Sequence, residues 1–271
     1  MTGITDSPSC SCYFETQHEQ HSHPAMRALE KRVLGCDFGG TSWTTKTQAE
    51  KIPAALKLAS TTNLLEIGAG TGWPGIYLAK QTGARVTLLD LPANSLSQAH
   101  QRAVDENVGN RCLPVSANGS ALPFQDGAFE AVSHSDVLCC LPEKLDMLME
   151  CRRVVREGAR MLFYVIAPAR GLSGPSHQQA CEVGPPFVDV ADDYARLLIK
   201  SGWKVLEMTD LTTEYLLALR RFVICLEADA ATLKDVLGEE EYNRQLQLRK
   251  QQAKAIERGL LEREVYLVKA I

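Results

Sequence analysis

The chain has 271 residues, 45% of them hydrophobic, and its 29 Lys plus Arg against 33 Asp plus Glu leave a formal net charge of −4 at pH 7. That length holds one large α/β domain with a lid, and the mild acidity excludes a broad phosphate-binding face, so nucleic acid is a poor partner. No apolar run approaches the ~20 residues of a membrane span, and the opening MTGITDSPSCSC lacks a secretory signal's charged start and apolar stretch, which points to the cytoplasm.

The nine cysteines, an odd number scattered through the elements, read as reduced thiols rather than a disulfide framework. Residues 1–25 are polar and are expected to form a disordered tail. Within them Cys10, Cys12, His18, His21 and His23 match no standard zinc spacing, so no metal is expected. Residues 26–271 read as a single domain: an N-terminal lid over 26–60 with a helix from Gln48 to Leu58, a core over 63–208, a helical insertion over 211–262 and a last strand over 264–271.

The core opens on NLLEIGAGTGWPGIYLAKQTGARVTLLDLP, from Asn63 to Pro92. Leu64, Leu65 and Ile67 suit a strand buried on both faces, and Gly68, Gly70 and Gly72 permit a tight turn and a close backbone approach to a ligand. A helix over Trp73–Lys80 takes Pro74 in its first turn, and a second strand over Val86–Leu89 ends on Asp90. A carboxylate at that tip can accept hydrogen bonds from both hydroxyls of a ribose.

Gly70, Gly72 and Gly75 also make a formal G-x-G-x-x-G, which keeps a nicotinamide-dependent oxidoreductase as an alternative. The register argues against it. The glycine directly after the strand is Gly68, and counting from it puts Trp73 where a dinucleotide binder has its third glycine. Glu66 ahead of Gly68, Gly70 and Gly72 suits a ligand that has no phosphate and carries an ammonium group, such as S-adenosylmethionine.

Here the chain resembles the class I S-adenosylmethionine-dependent methyltransferases, and more loosely their small-molecule branch of the ubiquinone and menaquinone biosynthesis type. Glu66 to Gly72 looks like the family's first motif and Asp90 like its ribose-binding acid. ANGSALPFQDGAFEAV, from Ala117 to Val132, is similar to a family segment in which an Asp contacts the adenine amine, with Asn118 in that place. The resemblance implies a Rossmann-like, doubly wound, seven-stranded sheet with an antiparallel last strand and a helical insertion or lid. It implies S-adenosylmethionine held by Glu66, Gly68, Ala69, Gly70, Gly72, Asp90, Leu91, Asn118, Gly119 and Ser135. The segment from Cys36 to Ile52 resembles a Thr-rich turn that precedes a cofactor-covering helix, and it adds Trp43 and Thr44.

After a third strand, Cys112–Val115, and a fourth, Phe129–Ser133, the loop from His134 lies where a methyl group should emerge. His134 and Asp136 are the candidate bases there, against structural roles such as an adenine contact or a helix cap. A helix, a glycine turn and a fifth strand follow from Cys151. The Gly- and Pro-rich stretch from Ala167 reads as a loop over the site, Val190–Lys200 as a helix and Trp203–Met208 as the sixth strand. The insertion reads as two helices, the second with an apolar stripe through Tyr242, Leu246, Ala253, Ile256 and Leu260, covering the substrate.

The expected activity is in-line methyl transfer to O, N or C of a small molecule. A non-catalytic S-adenosylmethionine-binding protein and an RNA methyltransferase are the further alternatives.

Overall fold

The structure is a computed structural model that describes residues 10–190 and 193–271, with the side chains of residues 10–13 excluded. In chain order its helices and strands are α1 (Cys10–Ser22), α2 (Pro24–Leu34), the short α3 (Lys46–Ala49) and α4 (Ile52–Leu56), β1 (Asn63–Ile67), α5 (Gly75–Thr82), β2 (Arg85–Asp90), α6 (Ala93–Asp105), β3 (Cys112–Ser116), β4 (Phe129–Ser135), α7 (Lys144–Val154), β5 (Val155–Pro168), α8 (Gly174–Val183), α9 (Tyr194–Lys200), β6 (Trp203–Asp210), α10 (Thr212–Ala228), α11 (Ala230–Leu237), α12 (Glu239–Glu257) and β7 (Leu261–Ala270).

The strands form one seven-stranded sheet in the order β3-β2-β1-β4-β5-β7-β6. β1 to β5 pair in parallel, and β7 inserts antiparallel between β5 and β6. Parallel strands need helical crossovers that cover both faces, so the central strands read as unbroken apolar runs: Leu64, Leu65, Ile67, Ala131 and Val132 are all at most 2% exposed. The chain leaves β1 toward β2 on one side and returns to β4 on the other. A crevice therefore opens at the carboxyl ends of β1 and β4, the general ligand position in such sheets.

The seven-stranded Rossmann-like sheet with its antiparallel last strand is as the sequence implies, and the differences lie in what surrounds it. The opening stretch expected to lack structure carries α1 over Cys10–Ser22, where Gln17, His18 and His21 are buried; residues 1–9 and the side chains of Cys10 and Cys12 lie outside the description. The helix expected over Gln48–Leu58 is two short ones: Thr45 caps α3 in a capping box with Gln48, and Pro53 sits in the first turn of α4. The loop expected from Ala167 holds α8, and the insertion has three helices, with Tyr242 at its centre donating to the Leu226 carbonyl at 3.1 Å.

Candidate active site

The floor of the crevice is the turn after β1. Gly68 has φ +68° and Gly70 φ +50°, where side chains are strained, and the space is closed as well. A Cβ on Gly68 would lie 2.3 Å from Val137 Cγ2, and one on Gly70 would lie 3.0 Å from Nε2 of His18. Asp90 stands at the tip of β2. Its Oδ2 accepts the Gly70 N–H at 2.6 Å and its Oδ1 the Leu91 N–H at 2.7 Å, so the acid holds the glycine turn in place. Burial pushes the Asp90 carboxyl above its ordinary range, and the two backbone donors oppose that rise.

Glu66 is fully buried one residue before the turn. The register sets it beside Ser133, whose hydroxyl donates to Oε2, while Oε1 has no partner among the described residues. Burial raises its pKa to about 7, with the Ser133 hydrogen bond opposing. The third residue of the formal G-x-G-x-x-G, Gly75, packs its α-carbon into the core. A Cβ there would meet Leu88 Cδ2 at 2.5 Å, so its glycine serves helix-on-strand packing.

A cavity of about 210 Å³ rises from this floor. Its walls include Gly68, Asp90, Leu91, Asn118, Gly119, Ser135 and Asp136, which the sequence reading had scattered over three separate loops. Asn118 Oδ1 accepts both the Ser120 N–H at 3.0 Å and the Ser120 hydroxyl at 2.8 Å. That leaves its amide N–H₂ as the group free to meet a ligand, reversing the acceptor role expected for it.

The roof is α1, which sequence periodicity did not reveal. Phe14 and His18 line the cavity. His18 Nδ1 pairs with the Ser95 hydroxyl at 2.7 Å, and burial pulls its pKa down to about 4. His21, one turn on, holds the Gly40 carbonyl through Nδ1 at 2.8 Å, and His23 caps α2.

A second cavity, about 270 Å³, adjoins the first and shares Phe14, Thr41, Ser135, Asp136 and Cys140 with it. Its remaining wall includes His21 and Trp43, Cys139, Gly184 to Pro186 after α8, and Tyr215, Arg249 and Gln252 of the insertion. Trp43 packs edge-on against Tyr215 and Phe222, and the Arg249 guanidinium lies 5.1 Å from its ring centre.

Between the cavities lies a buried ion pair. Asp136, at φ +59°, accepts Arg263 Nε at 2.9 Å and Nη2 at 3.0 Å, the Trp43 N–H at 3.0 Å and the Ser42 hydroxyl at 3.1 Å. Arg263 also donates to Gln48 Oε1 and Thr44 Oγ1. Burial acts to lower the Arg263 pKa, and the Asp136 charge with its hydrogen bonds more than offsets this.

These contacts revise several sequence-based roles. Asp136 spends its carboxylate on four donors and is the anchor of Arg263 rather than a free base. His134 is fully buried, stacked on Phe163 at 4.8 Å, and absent from the walls of both cavities; desolvation drives its pKa down to about 3. Thr44 bonds Arg263 instead of facing a ligand, and Trp43 lines the second cavity but not the first. Glu66, Ala69, Gly70 and Gly72 shape the turn from behind the wall. Arg263, His18 and His21 were missed. The pairing of Asp136 with Arg263 spans most of the chain, and the two histidines lie in a stretch whose composition resembles a tail.

Residues 65–163 match a family model described as a methyltransferase domain. The chain is 26% identical to the methyltransferase GfsG of Streptomyces halstedii over 173 residues, 61% of this chain and 61% of that protein. It is 34% identical to the demethylmenaquinone methyltransferase of Lactiplantibacillus plantarum over 122 residues, 44% of this chain and 49% of that protein. The chain thus spans less than two thirds of these relatives. Among solved structures, a phosphoethanolamine N-methyltransferase of Haemonchus contortus superimposes with TM-score 0.78 at 14% identity, covering 97% of this chain and 60% of that one. The cyclase SpnF superimposes with TM-score 0.78 at 16% identity, covering 100% of this chain and 99% of that one.

Proposed function

We propose that this chain, which belongs to the class I S-adenosylmethionine-dependent methyltransferases, moves the methyl group of S-adenosylmethionine onto a small organic molecule. The observation that carries the reading is the pair of cavities joined at Phe14, Thr41, Ser135, Asp136 and Cys140. A donor in the first would present its methyl at the shared wall to an acceptor in the second. In the first cavity Asp90 would take the ribose hydroxyls, Leu91 and the Asn118–Gly119 turn would pack against adenine, and Gly68 would let the ligand pass close to the backbone.

A sulfonium is already activated for displacement, so the protein's task is alignment and exclusion of water. α1 closes the donor cavity from above, while the insertion and the segment after α8 close the acceptor cavity. In this reading α1 joins residues 26–271 in one catalytic domain, with 211–262 as its lid. The fold alone does not decide the chemistry, since it is shared by the cyclase SpnF. The acceptor is a small molecule rather than a nucleic acid, in keeping with the net charge of −4. Among the described residues no helix is long and apolar enough to cross a membrane, and seven cysteines are free thiols, which supports a cytoplasmic place for the reaction.

Titration with S-adenosylhomocysteine and, separately, with NADH tests the donor assignment. Binding of the thioether without binding of the dinucleotide supports it, and the reverse removes it.

A further inference from the structure

The second cavity contains a base that the sequence reading assigned elsewhere. His21 is 8% exposed and its Nδ1 lies 2.8 Å from the Gly40 carbonyl oxygen. A carbonyl can only accept, so the proton of the neutral ring sits on Nδ1 and the lone pair on Nε2. Nε2 is buried without a hydrogen-bond partner among the described residues. A desolvated acceptor left unpaired is costly, and a ligand carrying a hydroxyl would relieve that cost.

Asp136, Cys139 and Tyr215 on this wall are committed. Asp136 is held by Arg263, and Cys139 donates to the Asp136 carbonyl. Burial keeps the Tyr215 phenol protonated. Burial and the Arg249 charge hold the His21 pKa below its ordinary value, while the Gly40 carbonyl and Glu241 oppose them, which leaves the ring neutral with its lone pair on Nε2. The charged or titratable neighbours of His21 are His18 on its own helix, Glu30 from α2, and Glu241 and Arg249 from α12. Glu30 is occupied by the Gly39 N–H at 2.6 Å and the Gly40 N–H at 3.4 Å. Arg249 lines the same cavity wall as His21 and donates there to Gln252 Oε1 at 3.0 Å.

We propose that the acceptor is a molecule with an ionisable hydroxyl, a phenol or an enol, that gives its proton to Nε2 of His21 and leaves its anion beside Arg249. This deepens the methyltransferase reading and rests on it. The O–H bond breaks as the N–H bond forms on His21. An electron pair of the anion, on oxygen or on the conjugated carbon, then attacks the methyl carbon. The S–CH₃ bond breaks with its electron pair remaining on sulfur, giving the neutral thioether. In C-methylation the carbon-bound proton leaves as the conjugated system is restored. In that case the C–H proton goes to solvent and the imidazolium returns its proton to the oxygen, whereas in O-methylation the imidazolium releases its proton to solvent; either way the sulfonium and the hydroxyl compound become thioether, methylated product and one proton.

The test uses para-nitrophenol, whose colour reports where its proton is, added to the full chain saturated with S-adenosylhomocysteine at a pH below the probe's own pKa. The proposal expects the bound probe to be the yellow phenolate in the wild type. His21→Gln should lower the ionised fraction of bound probe at least about tenfold, and Arg249→Met should weaken binding of the anion. Nitrogen-15 spectra of the histidine-labelled wild type read the same event without any variant: His21 Nε2 should move to the imidazolium position when the probe binds. A probe that does not bind, a probe bound as the colourless phenol, or a His21→Gln variant with an unchanged ionised fraction would overturn it. Failure of S-adenosylhomocysteine to bind would instead strike the donor assignment. Thioether binding with a colourless probe strikes only the base.

Discussion

Replacing Asp136 by Asn removes one charge while keeping the side chain's shape, and it isolates what the buried pair contributes. The side chains of Arg263 and Asp136 are 1% and 9% exposed, so solvent screens their attraction little. The amide would turn an N–H₂ toward one of the guanidinium donors at 2.9 and 3.0 Å and leave the Arg263 charge with only neutral acceptors, the amide oxygen, Gln48 and Thr44. Breaking a buried pair from one side costs about 3–5 kcal/mol. For a chain of this size that lowers the melting temperature by about 6–20 °C. Arg263→Met alone should cost a similar amount, since it strands the Asp136 carboxylate with Ser42 and Trp43. The double variant should recover at least ~2 kcal/mol of the summed loss, because the two act as one unit. Urea and thermal unfolding of the four proteins measure the cycle. A loss below about 1 kcal/mol for Asp136→Asn, or strictly additive losses, would refute the claim that Asp136 is an anchor and return it to the list of candidate bases.

Asp90→Ala should weaken S-adenosylhomocysteine binding by about 3 kcal/mol or more, since two ribose hydrogen bonds to a charged acceptor go with it; calorimetry reads this directly. Gly70→Ala should weaken the same binding by displacing His18 from its 3.0 Å approach and α1 with it, detectable as faster amide exchange over α1. The contribution of Glu66 and Glu30 to stability should fall as pH rises from about 4.5 to about 7. Glu66 and Glu30 both have pKa values raised to about 7 by burial, so in that window the folded state holds protons that the unfolded state has lost. Glu66→Gln should flatten the decline by up to about 3 kcal/mol. His18 works in the other direction. Its pKa is lowered to about 4, so its contribution is present above 6.5 and is lost as pH falls toward 4, and His18→Gln should remove that acid-side loss in a pH series of unfolding curves.

What could be read from the sequence was whatever local pattern dictates. Leu64, Leu65 and Ile67 followed by Gly68 announce a buried parallel strand and its turn. The strand, glycine turn, helix and acid up to Asp90 fall in register because each step depends on near neighbours. The residues that line the first cavity from three loops, Asp90, Asn118 and Ser135, were accessible only through likeness to a family motif. α1 was not legible. Its buried side chains include Gln17, His18 and His21, whose stabilising partners Ser95 and Gly40 are distant in sequence, so no apolar stripe marks the helix. Arg263 and Asp136 carry the same lesson: either one alone looks like a surface charge, and only the antiparallel insertion of β7 beside β5 brings them together.

The central claim is that a methyl group crosses from the first cavity to the second. Incubating the protein with S-adenosylmethionine labelled in its methyl group and a small-molecule cell extract, then following the label by mass spectrometry, tests it most directly. The account predicts a small molecule that gains one labelled methyl, with one S-adenosylhomocysteine formed for each, and loss of both in Asp90→Ala. Bound S-adenosylmethionine that stays intact while the extract is otherwise transformed, or a dinucleotide consumed in its place, would contradict it.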